Sequence, residues 1–223
     1  MNFFKKVISY FMPVAIKRES SDYSGVLELN LYRNQLMLDT ANTNYSYGSL
    51  QKILRKGLKY IGFEKIKKFN TILVLGLGGG SVVKTLREEI EFKGKIVGVD
   101  IDQKVIDLAS TVFEMNKIQK LAIFKYDAFE YILQTKSTYD LIIVDIFLDS
   151  QMPNFLYENH FIDELIKRVN KGGFVLFNTM ILSFAHEKRN LQYIAYAEKK
   201  GLSVRRYPRV EQHNELIILK KIS

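Results

Sequence analysis

A run of glycines lies between an apolar segment and an amphipathic segment in the first half of the chain. Residues 72–75 are all apolar and lead into Gly76, Gly78, Gly79 and Gly80. Apolar residues then recur at helical spacing at positions 82, 83, 86 and 90, in a helix that begins at Ser81. A strand, a glycine turn and a helix in succession form one βα unit, so this stretch predicts an α/β fold.

A second apolar segment, residues 95–99, ends on Asp100. An acidic residue roughly 20 residues beyond such glycines can bind the two hydroxyls of a ribose. Glycines have no Cβ and let the backbone approach a ligand closely, although a tight βα turn without a ligand uses the same residues. The turn, the helix, the second strand and its terminal acid together predict a nucleoside site.

The spacing of the glycines narrows the class of nucleoside. The pattern is G-x-G-G-G, and Ser81 stands where a dinucleotide-binding fold has its third glycine. This departure favours a single nucleoside over NAD. The chain also has no G-x-x-x-x-G-K-[ST] pattern, which argues against a nucleoside triphosphate.

The composition excludes several classes of protein. At 223 residues with 47% apolar side chains, the chain can form one α/β domain with a full core. It has no cysteine, which rules out disulfides, thiolate zinc sites and cysteine nucleophiles and fits a cytoplasmic location. The net charge of +9 favours an ordinary solvated surface, and a surface that binds nucleic acid is the alternative interpretation.

The sequence predicts three parts. Residues 1–20 are predicted to be a basic amphipathic lead-in rather than a membrane span. Their apolar run is interrupted by Pro13 and is far shorter than the ~20 residues that span a bilayer. Residues 21–49 read as a β-hairpin followed by a polar loop on the substrate side, which contains Tyr47. Residues 50–223 form the catalytic domain. No transmembrane segment is predicted, and a loose membrane contact of the lead-in is the alternative.

Acidic residues follow three of the predicted strands. Asp100, Asp127 and Asp145 come directly after apolar segments, and ligands of open parallel sheets bind outside the carboxyl ends of the strands. Each aspartate alone is more often a helix cap or a turn former. Three such residues in succession, together with Gly78 at a fourth strand end, predict a ligand site at this edge of the sheet.

Several motifs follow one another in the order found in a known family. They are LMLD, YSYGS, ILVLGLGGGS, VGVDIDQKVIDLA, YDAFEYI, YDLIIVDIF and PNFLYENHFIDELIKRVNKGGFVLFN. The chain resembles the spermidine synthase family, which consists of aminopropyltransferases built on the class I S-adenosylmethionine-dependent methyltransferase fold. The resemblance implies a Rossmann-like, mostly parallel seven-stranded sheet with a small N-terminal β-hairpin, and it suggests a homodimer.

The resemblance also implies roles for residues of the site. Asp145 is the catalytic residue, and Tyr47 and Asp149 bind the substrate. The ligand is S-adenosylmethionine or its decarboxylated form, acting as co-substrate, and the acceptor is a small amine such as putrescine or another small molecule. The residues implied to bind the nucleoside are Gly76, Gly78, Gly79, Gly80, Asp100, Ile101, Asp127 and Ala128.

The chain departs from the family pattern at positions that recognise an amine. Gly79 stands where the family usually has an aspartate that contacts the donor's amine. Gly48 and Ser49 follow Tyr47 in place of glutamine or histidine and then glutamate. Leu148 stands three positions after Asp145, where the family usually has a second aspartate, and Asp149 comes one residue after that position.

These departures leave other functions open. The first alternative is a small-molecule methyltransferase that uses Asp145 or Tyr47 as base, and the second is a non-catalytic nucleoside-binding protein. Nucleic-acid methylation is disfavoured, because the fourth strand ends in DIFLD rather than [DN]-P-P-[YF]. A metal-dependent O-methyltransferase would need further ligands near Asp145, where only Asn178 lies at a neighbouring strand end, so no metal site is predicted.

Overall fold

The chain forms two β-sheets flanked by helices. The computed structural model describes residues 3–40, 44–46, 49–147 and 151–222, with the backbone alone for 3–5, 44–46 and 49–50. The N-terminal part contains α1 (Phe3–Ser9), β1 (Val14–Ser21), β2 (Gly25–Tyr32), β3 (Gln35–Thr40) and β4 (Asn44–Ser46). The remainder contains α2 (Ser49–Ile61), α3 (Phe63–Ile66), β5 (Thr71–Leu75), α4 (Ser81–Lys84, continued by a π-helical turn Thr85–Glu89), β6 (Lys95–Asp100), α5 (Gln103–Thr111), β7 (Leu121–Lys125), α6 (Ala128–Gln134), β8 (Tyr139–Val144), α7 (Asn159–Arg168), β9 (Val169–Met180), α8 (Phe184–Lys199), β10 (Leu202–Tyr207) and β11 (Asn214–Lys221).

The N-terminal sheet is antiparallel, with its strands in the order β1-β2-β3-β4. The predicted hairpin is present, because β2 and β3 pair directly across a two-residue turn at Arg33 and Asn34. Both turn residues have positive φ, 48° and 61°, as a tight hairpin turn requires. Residues 14–20, which the sequence placed in the lead-in, belong to β1 and pair with β2. The division of the chain into three parts stays a prediction.

The second sheet has seven strands in the order β10-β11-β9-β8-β5-β6-β7. The five strands from β9 to β7 are parallel, while β11 runs antiparallel to both β9 and β10. The predicted fold class, a mostly parallel seven-stranded sheet with an N-terminal hairpin, is therefore confirmed. The carboxyl ends of β5, β6 and β8 lie at one edge of this sheet, which is the edge that the sequence assigned to the ligand.

Both faces of the seven-stranded sheet are covered, so its central strands are apolar throughout rather than alternating. On one face, Ile72 and Val74 of β5 pack in a cluster with residues of β2, β3, α2, α4 and α5. On the other face, Leu73 and Leu75 pack with residues of α6, α7 and α8. The N-terminal sheet therefore belongs to the first of the two layers and shares its core.

A buried carboxylate joins the N-terminal sheet to the larger one. The Asp102 side chain, only 2% exposed, caps α5 by accepting a hydrogen bond of 2.9 Å from the Lys104 backbone N–H. Its second oxygen accepts hydrogen bonds from the hydroxyls of Ser21 and Ser24, the latter at 2.6 Å. One side chain thus starts a helix beside the predicted site and holds the β1–β2 turn.

We expect Asp102→Ala to lower the free energy of unfolding by about 2–4 kcal/mol, because the helix loses its cap and the hydroxyls of Ser21 and Ser24 lose their carboxylate acceptor. Denaturant unfolding followed by circular dichroism measures the change. Asp107→Ala is the matched control, since Asp107 lies exposed on the same helix and bonds only to Gln103 and Thr111 among the hydrogen bonds of the described residues. Equal effects of the two substitutions would contradict this role of Asp102.

Candidate active site

The glycine turn after β5 adopts backbone angles that other residues avoid. Gly76, Gly78 and Gly80 have φ values of 85°, 53° and 80°. A Cβ placed on Gly76 would overlap the backbone carbonyl oxygen of Asp145, far inside the 3.0 Å that such atoms keep. Gly76 is therefore needed because β5 and β8 pass one another closely at the point where both strands end.

We expect Gly76→Ala to destabilise the protein by more than about 3 kcal/mol, or to prevent folding, because strain at positive φ adds to a collision with backbone. Gly201→Ala is the matched control, since Gly201 has nearly the same φ, 83°, and has nothing within 4 Å of the added Cβ. The control should lose only about 1–2 kcal/mol, which is the cost of φ strain alone. Thermal unfolding of both variants measures the difference, and equal losses would show that the contact with Asp145 is unimportant.

Asp100 holds the glycine turn to the end of β6. It is 6% exposed, and its two carboxylate oxygens accept hydrogen bonds from the backbone N–H groups of Gly78, at 2.9 Å, and Asp102, at 3.1 Å. Burial raises the pKa of Asp100 to about 6, although these backbone hydrogen bonds oppose the rise. Each oxygen keeps acceptor capacity for a further donor, so the geometry suits a ligand hydroxyl as well as the turn.

The other residues predicted to bind the nucleoside lie beside Asp100. Ile101 directly follows β6, and Tyr126, at the end of β7, donates its backbone N–H to the Asp100 carbonyl at 2.9 Å. Asp127 caps α6, because its Oδ1 accepts hydrogen bonds from the backbone N–H groups of Phe129, at 2.8 Å, and Glu130, at 3.1 Å. Asp127 therefore has a structural role, and the contact of Asp127 and Ala128 with a nucleoside stays a prediction.

Asp145 lies at the end of β8 and is half-buried. Its backbone N–H donates to the Leu75 carbonyl at 2.9 Å, and its Oδ1 accepts a hydrogen bond of 2.8 Å from the Asn178 amide. Burial raises the pKa of Asp145 to about 6, and the hydrogen bond from Asn178 opposes the rise. Near neutral pH, a carboxylate with such a pKa is largely ionised and can accept a proton.

Of the predicted site residues, the structure brings Gly76, Gly78, Asp100 and Asp145 together through direct contacts. Tyr47 and Asp149 lie outside the described residues, as do Gly48 and Leu148. Sequence reasoning noted Asn178 only as a polar residue at a neighbouring strand end. It missed Asn214, which donates a hydrogen bond of 3.1 Å to Asn178, because no local pattern links two residues that are 36 positions apart.

Among residues 3–40, 44–46, 49–147 and 151–222, no group of three or more His, Asp or Glu side chains is arranged to hold a metal ion. Within the same residues, no helix is both long enough and apolar enough to span a bilayer.

Solved structures with the same architecture define the class of fold. A probable spermidine synthase from Corynebacterium glutamicum superimposes with a TM-score of 0.75 at 16% identity, over 95% of this chain and 81% of that one. Human methyltransferase-like protein 13, solved in complex with SAH, superimposes with a TM-score of 0.63 at 20% identity, over 79% of this chain and 83% of that one. The fold is therefore that of the class I methyltransferases, with the candidate site at the edge where β5, β6 and β8 end.

The family model of the spermine/spermidine synthase domain matches residues 52–208, and the chain belongs to this family. A probable polyamine aminopropyl transferase from Bifidobacterium longum is 30% identical over 51% of this chain and 25% of that protein. The polyamine aminopropyltransferase of a Saccharolobus islandicus strain is 32% identical over 52% of this chain and 40% of its own length. The chain therefore spans about a quarter to two fifths of the length of these relatives.

Proposed function

We propose that this protein transfers an aminopropyl group from decarboxylated S-adenosylmethionine to a small amine such as putrescine. The observation that carries the proposal is Asp145, a half-buried carboxylate at a strand end, held by Asn178 and adjacent to the glycine turn. Family membership and the names of the relatives support the same reaction.

In this reaction, the nitrogen of the acceptor amine attacks the propyl carbon that is bonded to the sulfonium. A C–N bond forms, the C–S bond breaks, and its electron pair goes to sulfur, so that methylthioadenosine leaves. The attacking amine must be neutral, and the Asp145 carboxylate accepts the proton that it loses. The same carboxylate orients the nitrogen and offsets positive charge in the site.

The donor's nucleoside is proposed to lie along the carboxyl ends of β5 and β6. The glycine turn from Gly76 to Gly80 allows close approach of the sulfonium, and Asp100 accepts hydrogen bonds from the ribose hydroxyls. Ile101 packs beside the nucleoside, while Asp127 and Ala128 contact its adenine. Tyr47 and Asp149 are proposed on the acceptor side.

A methyltransferase that uses S-adenosylmethionine on a small acceptor is the second candidate. Gly79 favours it, because this position lacks the carboxylate that would pair with the amine of a decarboxylated donor. The backbone N–H groups of the turn can instead donate hydrogen bonds to the carboxylate of intact S-adenosylmethionine. Structural neighbours solved with SAH or SAM bound show that the shared fold accommodates this ligand class in those proteins.

Calorimetric binding of S-adenosylmethionine, its decarboxylated form and methylthioadenosine to the purified protein separates the candidates. Aminopropyl transfer requires tighter binding of the decarboxylated donor, and it requires mass-spectrometric detection of spermidine when putrescine is added. A preference for the carboxylated donor would favour methyl transfer. If all three ligands bind and no acceptor is consumed, the protein is a nucleoside-binding member of the family without this activity.

We expect kcat/KM for the donor to fall as the pH drops below about 6, because both Asp100 and Asp145 have pKa values of about 6 and both must be ionised. With two groups, the decrease approaches a hundredfold per pH unit. The dissociation constant of methylthioadenosine depends on Asp100 alone, so it should change by only about tenfold per pH unit. A kcat/KM that is constant between about pH 5 and 8 would contradict these roles.

The homodimer and the cytoplasmic location stay proposals from the resemblance and the absence of cysteine in the sequence. Light scattering coupled to gel filtration measures the mass in solution, and a mass of one chain would exclude the homodimer under those conditions.

A further inference from the structure

We propose that Asn178 and Asn214 form a hydrogen-bonded relay that positions the Asp145 carboxylate. In this relay, Asn214 orients the amide of Asn178, and Asn178 in turn holds Oδ1 of Asp145. This inference rests on the proposed function, in which Asp145 accepts a proton from the acceptor amine. Both asparagines are positioning residues in this proposal.

The three side chains lie on one face of three neighbouring strands. Strand β9 lies between β8 and β11, and Asn178 is opposite Leu216 in the β9–β11 ladder. Asn178 is fully buried near the end of β9. Its Nδ2 donates to Asp145 Oδ1 at 2.8 Å, and its Oδ1 accepts from Asn214 Nδ2 at 3.1 Å.

The chemistry of a primary amide explains why the second asparagine matters. An amide presents one acceptor oxygen and one NH₂ donor on opposite sides. With the donor of Asn214 on one side and a carboxylate oxygen on the other, only one orientation of Asn178 forms both hydrogen bonds. A flipped amide would place two donors together and an oxygen against the carboxylate, and both contacts would be repulsive.

The backbone of Asn214 is itself held in place. Its N–H donates to the Glu211 carbonyl at 3.1 Å, and its carbonyl accepts from the Val210 N–H at 2.8 Å. Lys56 of α2 binds the same turn, through the Val210 carbonyl at 3.1 Å and the Glu211 carboxylate at 2.6 Å. The relay thus begins at a turn that is tied to a helix, which limits how far Asn214 can move.

The effect of the relay can be measured through the pKa of Asp145. Within the described part of the chain, two influences set the pKa of Asp145: burial, which raises it, and the hydrogen bond from Asn178, which lowers it. Glu215, the charged neighbour of Asn214, lies on the opposite face of β11 and pairs with Arg206. Loss of the orienting donor should therefore raise the pKa of Asp145 further.

The test is a ¹³C NMR titration of the Asp145 carboxyl in the wild-type protein and in Asn178→Leu and Asn214→Ala. Asp145→Asn identifies the resonance. We expect the pKa of Asp145 to rise by about one in both relay variants, which corresponds to the loss of one charge-assisted hydrogen bond. Asn170→Ala is the matched control, because Asn170 donates to Asp140 at 2.8 Å near the opposite ends of the same two strands. In this control, the pKa of Asp145 should be unchanged.

Turnover gives the second readout. Because a pKa that rises from about 6 to about 7 lowers the ionised fraction of Asp145, we expect kcat of Asn214→Ala to fall about twofold at pH 7 and about fivefold at pH 6, with KM for the donor unchanged, and to recover as the pH is raised. An unchanged pKa of Asp145 in both relay variants would overturn the proposal even if aminopropyl transfer is observed. A raised pKa in a protein without transfer activity would retain the relay and reject the proposed function.

Discussion

Asp145→Asn is expected to lower kcat for aminopropyl transfer by about 10²–10⁴-fold while leaving nucleoside affinity within about twofold of wild type. An amide cannot accept the proton that the acceptor amine loses, whereas its shape and its hydrogen bond from Asn178 can be kept. Steady-state kinetics with decarboxylated S-adenosylmethionine and putrescine measures the first quantity. Calorimetry with methylthioadenosine measures the second.

The melting temperature of Asp145→Asn shows whether a loss of activity in this variant is due to loss of folding. Burial raises the pKa of Asp145 from 3.8 to about 6, so the contribution of this group to stability is fully present below about pH 4 and is lost as the pH rises through about 6. At pH 7.5, the charged side chain therefore opposes folding, and the neutral amide should raise the melting temperature. An inactive variant with a lowered melting temperature would not support a catalytic role, and full activity in a folded variant would exclude one.

Asp100→Ala is expected to weaken nucleoside binding by at least about 100-fold, because the ribose hydroxyls lose a charged acceptor and the Gly78 N–H loses the group that holds the turn. Calorimetry with methylthioadenosine and with decarboxylated S-adenosylmethionine measures this loss. Turnover should fall in parallel at subsaturating donor.

Asp140→Ala is the matched control for Asp100→Ala. Asp140 accepts hydrogen bonds from the backbone N–H groups of Asn70, at 2.7 Å, and Thr71, at 3.0 Å, near the amino end of β5. Its removal should lower stability without changing nucleoside affinity. If Asp100→Ala and Asp145→Asn weaken nucleoside binding equally, the proposed division between a ribose-binding residue and a catalytic residue is wrong.

The parts of the site that follow strand ends were predictable from local pattern. Asp100 and Asp145 each come directly after an apolar segment, and the parallel order of β6, β5 and β8 brings those ends to one edge. The predicted hairpin at Arg33 and Asn34 also has a local cause, since a two-residue turn at positive φ suits alternating strands on either side.

Other features had no local signal. Strand β1 lacks a regular apolar stripe, and its conformation depends on pairing with β2. Position 76 requires glycine for two reasons. The positive φ is a local property of the turn, whereas the carbonyl that a Cβ would overlap belongs to Asp145, about 70 residues later. Asp127 caps its own helix, which no local pattern distinguished from a ligand contact, and its contact with the nucleoside, implied by the family resemblance, stays a prediction.

Periodicity and glycine spacing were enough to predict an α/β sheet with a glycine turn after β5, because both depend on interactions between residues close in sequence. The sequence indicated that Asn178 lies at a strand end near Asp145, but the tertiary structure alone decided which side chains form hydrogen bonds there. It placed Asn178 and Asn214 behind Asp145, and Ser21 and Ser24 on Asp102. The physical reason is that a buried polar group must find its partner in space, and the strand order of the sheet sets which distant residue stands there.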